Sequence, residues 1–103
     1  MDEFELWPRK LLTIVTESAL EQALCRDLDR LGATGYTVTN ARGKGRHGRR
    51  DAGWDTDANI RVEVVCDEAV AKRIMVELRR RYYANYAMIM LLSDVQVLRP
   101  EKF

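Results

Sequence analysis

Ile60-Arg61-Val62-Glu63-Val64-Val65 alternates apolar and charged side chains, the period-two pattern of a strand with one face buried. Its position decides the fold, because it is the first regular element after a glycine-rich string, Gly43-Lys44-Gly45-Arg46-His47-Gly48. That string matches the dinucleotide-binding pattern G-x-G-x-x-G, which carries meaning only where it opens a helix inside a parallel β-α-β unit. Here Arg49 to Asp57 show no apolar helical period, and a strand follows. A Rossmann-type site is therefore not expected. No Gly-Lys-Ser/Thr phosphate loop occurs either.

Working outward, Tyr36-Thr37-Val38-Thr39 reads as a strand entered through Gly35. Ahead of it, the β-branched run Lys10 to Thr16 reads as a buried strand. Ser18 and Glu21 have the spacing of a capping box. Leu20, Leu24, Leu28 and Leu31 then follow at helical spacing, and Gly32 stands where a helix end favours a left-handed residue. On the far side of Ile60–Val65, Asp67 can cap a helix with Val70, Ile74 and Leu78 on one stripe. Its last turn holds Arg79, Arg80 and Arg81, which suit the helix dipole. Ala87 to Leu92 is an apolar strand, continued by Val95 and Val97 as an edge or hairpin. The order β-α-β-β-α-β predicts an α+β, ferredoxin-like sandwich with both helices on one face of an antiparallel sheet. The other face then needs a cover, and in a chain of 103 residues the expected cover is another copy, a homo-oligomer.

The whole chain, residues 1–103, fits one domain. A formal net charge of +1 gives no global basic field, so a dedicated nucleic-acid binder is not expected. Cys25 and Cys66 are the only cysteines and lie far from each other and from His47, which argues against a zinc site and for reduced thiols in a cytoplasmic protein, both half-buried in their elements. The acidic start, Asp2-Glu3-Phe4-Glu5, is unlike a signal peptide, and no apolar run reaches the length of a membrane span. No serine or cysteine is paired with His47, so no catalytic residue is nominated and the protein is not expected to be an enzyme. Tyr82, Tyr83 and Tyr86 read as packing residues, and Met88 and Met90 as core.

The exception to an otherwise ordinary small domain is the connection from residue 42 to 58. It holds four of the six glycines, five cations between Arg42 and Arg50, and then Asp51, Asp55 and Asp57 with no cation. A hairpin needs only about 2–5 residues, and loops beyond about 12–15 tend to be functional or disordered. Gly43 and Gly45 let main-chain amides approach an anion, and Lys44, Arg46, Arg49 and Arg50 supply charged donors. The alternative is a solvated hairpin whose charges serve solubility, with Trp54 either stacking on a ligand or tacking the loop down.

At this point the chain resembles a PII-type signalling protein. Ala33-Thr34-Gly35-Tyr36-Thr37-Val38 followed by Gly43-Lys44-Gly45-Arg46 is similar to that family's run from its second strand into its long T-loop, here about 42–58, and the element order agrees over residues 10–98. The resemblance implies a trimer with ATP, ADP or AMP in clefts between neighbours. It places Gly35 and Thr37 toward adenine and ribose, and Gly43, Lys44, Gly45 and Arg46 along the phosphates. Val65 would meet the base, and Ala87 would join the nucleotide site. Arg46, His47, Arg49 and Arg50 would serve an anion or a partner.

The departures refine this expectation. Typical members carry Gly-Asp-Gly-Lys before the last strand, where this chain has Arg81-Tyr82-Tyr83-Ala84-Asn85-Tyr86-Ala87, which leans toward ADP or AMP over ATP. His47 replaces the glutamine linked with Mg-ATP and 2-oxoglutarate, so 2-oxoglutarate sensing is not expected. The loop offers no tyrosine or serine for the family's modifications. Gly35-Tyr36-Thr37-Val38, Gly43-Lys44-Gly45 with its arginines, and Tyr86-Ala87 look closer to the inorganic-carbon branch, the SbtB-like and carboxysome-associated PII-like proteins. That branch implies bicarbonate as co-ligand, a transporter or carboxysome component as protein target, no resident cofactor, no metal, no nucleic acid and no membrane insertion. The competing reading is an RRM-like module for single-stranded RNA, which shares the element order but needs aromatics on the third strand, where Ile60–Val65 has none.

Overall fold

The first strand is the longest element of the sheet and its organising centre. In the computed structural model, which describes residues 3–43 and 58–103, β1 (Trp7–Glu17) lies between two antiparallel neighbours. On one side it pairs with β3 (Asn59–Cys66), placing Lys10 opposite Cys66 and Glu17 opposite Asn59. On the other it pairs with β4 (Met88–Val97), from Thr16 opposite Met88 to Trp7 opposite Val97. The short β2 (Thr37–Ala41) completes the sheet on the outer edge of β3, so the order is β2-β3-β1-β4. Helices α1 (Glu21–Leu31) and α2 (Glu68–Tyr82) fill the two crossovers.

Register separates the two faces. Leu12, Ile14 and Thr16 of β1, and Ile60, Val62, Val64 and Cys66 of β3, alternate into the helix-covered face and are at most 2% exposed. They meet Leu24, Leu28 and Leu31 of α1 and Ala71, Ile74, Leu78 and Tyr82 of α2 in one core. Burial of apolar area of this kind is the main favourable term in folding, about 1.5–3 kcal/mol for each large side chain. Met88 belongs to this core and Met90 packs partly buried against it.

Among the described residues, the opposite face has no helix. It carries Leu11, Thr13 and Val15 from β1 and Arg61, Glu63 and Val65 from β3. From β4 it carries Ile89 and Leu91, which remain 57% and 56% exposed. The order and the bare face agree with the ferredoxin-like expectation.

Two local readings change. Ser18 and Glu21 do not form a capping box: residues Ser18–Leu20 make a 3-10 turn, and neither it nor α1 has a side-chain cap at its N-terminus. The reason is tertiary, because the Ser18 N–H donates to Ala58 O at 2.7 Å and the chain enters α1 through that anchored turn. β4 continues to Val97 as an edge strand, the first of the two expected forms, since β1 is long enough to pair with all of it. Cys66, expected to be half-buried, is 2% exposed in the core, and burial beside Asp67 pushes its thiol pKa up.

Other local chemistry follows the sequence. Asp67 caps α2, accepting the Val70 N–H at 2.8 Å. Gly32 ends α1 with φ of +102°, a conformation that costs glycine little and other residues more.

Candidate functional site

The long connection leaves the sheet at Ala41 and returns at Asn59, which face each other in the β2–β3 ladder. Asn59 in turn faces Glu17, the last residue of β1. The mouth of the connection is therefore built on the end of β1. Ala58 is held there by the Ser18 N–H. Ala87 is held from two sides: Thr16 Oγ1 donates to its carbonyl at 2.8 Å, and its N–H donates to Glu17 Oε2 at 2.9 Å.

The turn before β4, where a phosphate loop would stand, is a tightened helix end. The Tyr83 N–H donates to Arg79 O at 3.3 Å, and the N–H groups of Asn85 and Tyr86 converge on Tyr82 O at 3.2 and 3.0 Å. With Ala87 bound to Glu17, these donors point into the protein and do not form an anion-binding concavity. Tyr82 is buried and meets Tyr86 edge-to-face with centroids 5.9 Å apart, whereas Tyr83 and Tyr86 keep about half their surface in solvent. Of the three tyrosines read as packing residues, Tyr82 is the one the fold encloses.

The remaining described site candidates lie elsewhere. Thr37 faces Glu63 in the ladder, so Gly35, Thr37 and Val65 gather at the end of the sheet away from the mouth. Gly43 and Ala87 are at the mouth. Six residues of strand separate Asn59 from Val65, about 20 Å at the usual rise per residue. Within one chain, the two groups therefore stand at opposite ends of the β2–β3 ladder. A Cβ at Gly35 or Gly43 would meet nothing within 4 Å, so what glycine contributes at both is an exposed main chain. Lys44, Gly45, Arg46, His47, Arg49, Arg50 and Trp54 lie outside the described residues.

One feature at the Gly35 end of the sheet has no signal in the sequence. The C-terminal turn, Pro100–Lys102, folds back beside Gly35: Thr34 Oγ1 donates to Lys102 O at 2.9 Å and Arg9 Nη2 donates to Pro100 O at 3.1 Å. This brings the cations Arg99 and Lys102 to the same end as Gly35 and Thr37. Between them Tyr36 is tied to α1, where a hydrogen bond with Cys25, then burial, push its phenol up to about 12. A depression of about 560 Å³ also opens at this end, but Asp67, Glu68 and Asp94 line it. Its Lys10 ammonium is already paired with Asp94 and lies 3.9 Å from Glu68, so the depression does not suit a phosphate.

Other chemistries find little support here. Among the described residues no three His, Cys, Asp or Glu side chains converge as metal ligands, and no helix is long and apolar enough to cross a membrane. The bare face of β1 and β3 presents Leu11, Thr13, Val15, Arg61, Glu63 and Val65, without the stacking aromatics that an RRM-like surface uses.

Comparison with known proteins agrees with the topology. The family model for nitrogen regulatory protein P-II matches residues 9–102. A PII-like signalling protein of Thermus thermophilus is 46% identical, covers 97% of this chain and 99% of its own, and superposes with a TM-score of 0.82. CPII of Thiomonas intermedia, a nitrogen regulatory PII-like protein bound to ADP, AMP and bicarbonate, is 28% identical over 98% of each chain, with a TM-score of 0.84. B. subtilis GlnK shares the fold at 14% identity, covering 94% of this chain and all of its own, with a TM-score of 0.69. Matched by the family model over nearly its whole length, this chain belongs to the nitrogen regulatory protein P-II family.

Proposed function

We propose that this protein is a PII-like regulator that binds ADP or AMP, in preference to ATP, in clefts between the protomers of a homotrimer. The observation that carries this reading is the division of the site between the two ends of the sheet. Gly35, Thr37 and Val65 lie at one end, and Gly43 and Ala87 at the other. The base end of one protomer meeting the loop mouth of the next would bring both groups to a single nucleotide. The bare face supplies the reason for such assembly, since Leu11, Val15, Val65, Ile89 and Leu91 lie on a helix-free surface. Contiguous exposed apolar surface of this kind marks an interaction site.

Lys44, Gly45 and Arg46 then line the phosphates, and Arg46, His47, Arg49 and Arg50 receive a small anion or a partner. Bicarbonate is the co-ligand this reading favours, supported by its presence with ADP and AMP in CPII of Thiomonas intermedia. The protein acts by binding, without chemistry of its own. Ligand occupancy shifts the population of loop conformations, and the loop presents inorganic-carbon or energy status to a protein target such as a transporter or carboxysome component in the cytoplasm.

Calorimetry with ATP, ADP, AMP and cyclic AMP, each with and without bicarbonate, tests the proposal. Micromolar binding of ADP or AMP, with an affinity that changes when bicarbonate is added, is the expected result. Folded protein that gives no heat with any adenine nucleotide overturns it.

A further inference from the structure

The outer seam between α1 and α2 gathers arginines that lie about fifty residues apart in the sequence. Arg81 Nη1 donates to Asp27 Oδ1 at 2.6 Å, and Arg30 Nη2 reaches the same oxygen at 3.4 Å and Glu77 Oε1 at 3.3 Å. Arg80 meets Glu77 through Nε at 3.3 Å and Nη2 at 2.7 Å. Arg26 stands one turn before Arg30, and its charge works against the rise of the Tyr82 phenol beside Asp27. Four guanidinium groups thus meet two carboxylates, a local excess of positive charge on a chain whose net charge is +1. Helix dipoles favour cations in a last turn, but Arg26 and Arg30 stand at the i,i+4 spacing at which like charges oppose the helix. The two carboxylates fix the guanidinium groups without covering them, since the side chains of Arg30, Arg80 and Arg81 stay 53%, 68% and 42% exposed.

We propose that this seam is a docking surface for an acidic segment of a partner protein, rich in glutamate or aspartate. Charge complementarity is the first reason, because N–H donors of a fixed guanidinium match a carboxylate geometrically as well as electrostatically. The second reason is what adjoins the arginines. Val76 and Tyr83 are exposed on α2, four residues before and three after Arg80, and so lie on its stripe of the helix. Tyrosine and arginine together are the side chains that protein interfaces favour, and an apolar neighbour serves a peptide better than a phosphate chain. The seam lies on the helix side of the sheet, away from the bare face proposed for assembly, so a trimer leaves it open. It is separate from the long connection and from the nucleotide groups, and the inference does not depend on that reading.

The probe is a short labelled peptide of glutamates interspersed with leucines, followed by fluorescence anisotropy against the full chain. Its controls are the same peptide with glutamine for glutamate, a single-stranded RNA and vesicles of phosphatidylserine. Arg26→Glu and Arg80→Glu reverse charges at the seam that no buried group needs, and Lys72→Glu makes the same change of net charge elsewhere on α2. The expected result is binding of the glutamate peptide that weakens about tenfold in Arg26→Glu and in Arg80→Glu, and less than about twofold in Lys72→Glu. Binding should also weaken as salt rises, and the glutamine peptide should not bind. Folded wild type that does not bind the glutamate peptide overturns the inference. So does an equal loss in Lys72→Glu, which would show a diffuse field in place of a site. Tighter binding of the RNA or the vesicles, lost in the same two arginine variants, overturns the choice of a protein partner.

Discussion

The Tyr82 hydroxyl donates to Asp27 Oδ2 at 2.5 Å, joining the last residue of α2 to the middle of α1 inside the protein. Asp27 is only 4% exposed, and its other oxygen accepts from Arg81 Nη1 at 2.6 Å and Arg30 Nη2 at 3.4 Å. The Arg81 guanidinium also stands over the Tyr82 ring, 5.6 Å from its centroid. One buried carboxylate therefore holds both helices at the end that leads into the turn before β4.

Removing that carboxylate leaves a buried hydroxyl without its acceptor and a guanidinium without its counter-charge. Asp27→Ala is expected to destabilise the protein by about 2–4 kcal/mol, the cost of breaking a buried, charge-assisted hydrogen-bond group. Urea denaturation followed by circular dichroism checks this. A loss below about 1 kcal/mol would show that water replaces the lost partners.

The Tyr82 phenol also sets a pH dependence. Burial, then the hydrogen bond to Asp27 and that carboxylate's charge, push it up to about 12, against the opposing charge of Arg81. The group is an acid with a raised pKa in the folded state, so the unfolded chain binds fewer protons above about pH 10. Its contribution is present in full below about 10 and is lost as pH rises toward 12. Urea midpoints between about pH 9 and 12 should therefore fall less steeply for Tyr82→Phe than for the wild type, with the share of Tyr36 retained in both.

At the other end of α2, Asp67 satisfies one of the first amides through the Val70 N–H. Asp67→Ala is expected to cost about 1 kcal/mol and Asp67→Ser much less, as for helix caps in general. The two variants, compared by thermal unfolding, separate loss of the cap from loss of charge near Glu68.

Leu91 tests the assembly. It stands 56% exposed on the helix-free face, opposite Thr13 in the ladder. Leu91→Lys should dissociate the proposed homotrimer with little change in helix content, because the residue makes no part of the core. Sedimentation velocity reads the outcome: a folded monomer is expected, and an unchanged trimer would place the interface on another surface.

Much of this architecture is legible residue by residue. The alternation in Ile60–Val65, the leucine spacing from Leu20 to Leu31, Gly32 and the Asp67 cap all act within a few residues of themselves. So does the run from Ala33 to Gly48 that carries the family resemblance. The failure at Ser18 has the same origin seen from the other side. A capping box is a local exchange between side chains and amides, and here a distant carbonyl, Ala58 O, takes the Ser18 amide instead.

The sequence alone determined the order of elements, the position of the long glycine-rich connection and the absence of a Gly-Asp-Gly-Lys run before β4. Only the tertiary structure decided where those parts meet. It put Gly35 and Thr37 at one end of the sheet and Gly43 and Ala87 at the other, laid the C-terminal turn beside Thr34, and fixed Glu17 on the Ala87 amide. Local propensity and periodicity depend on neighbours within one or two turns of chain. Strand register and side-chain contacts across the sheet depend on residues dozens of positions apart, and these set the charge and the donors at the mouth of the loop.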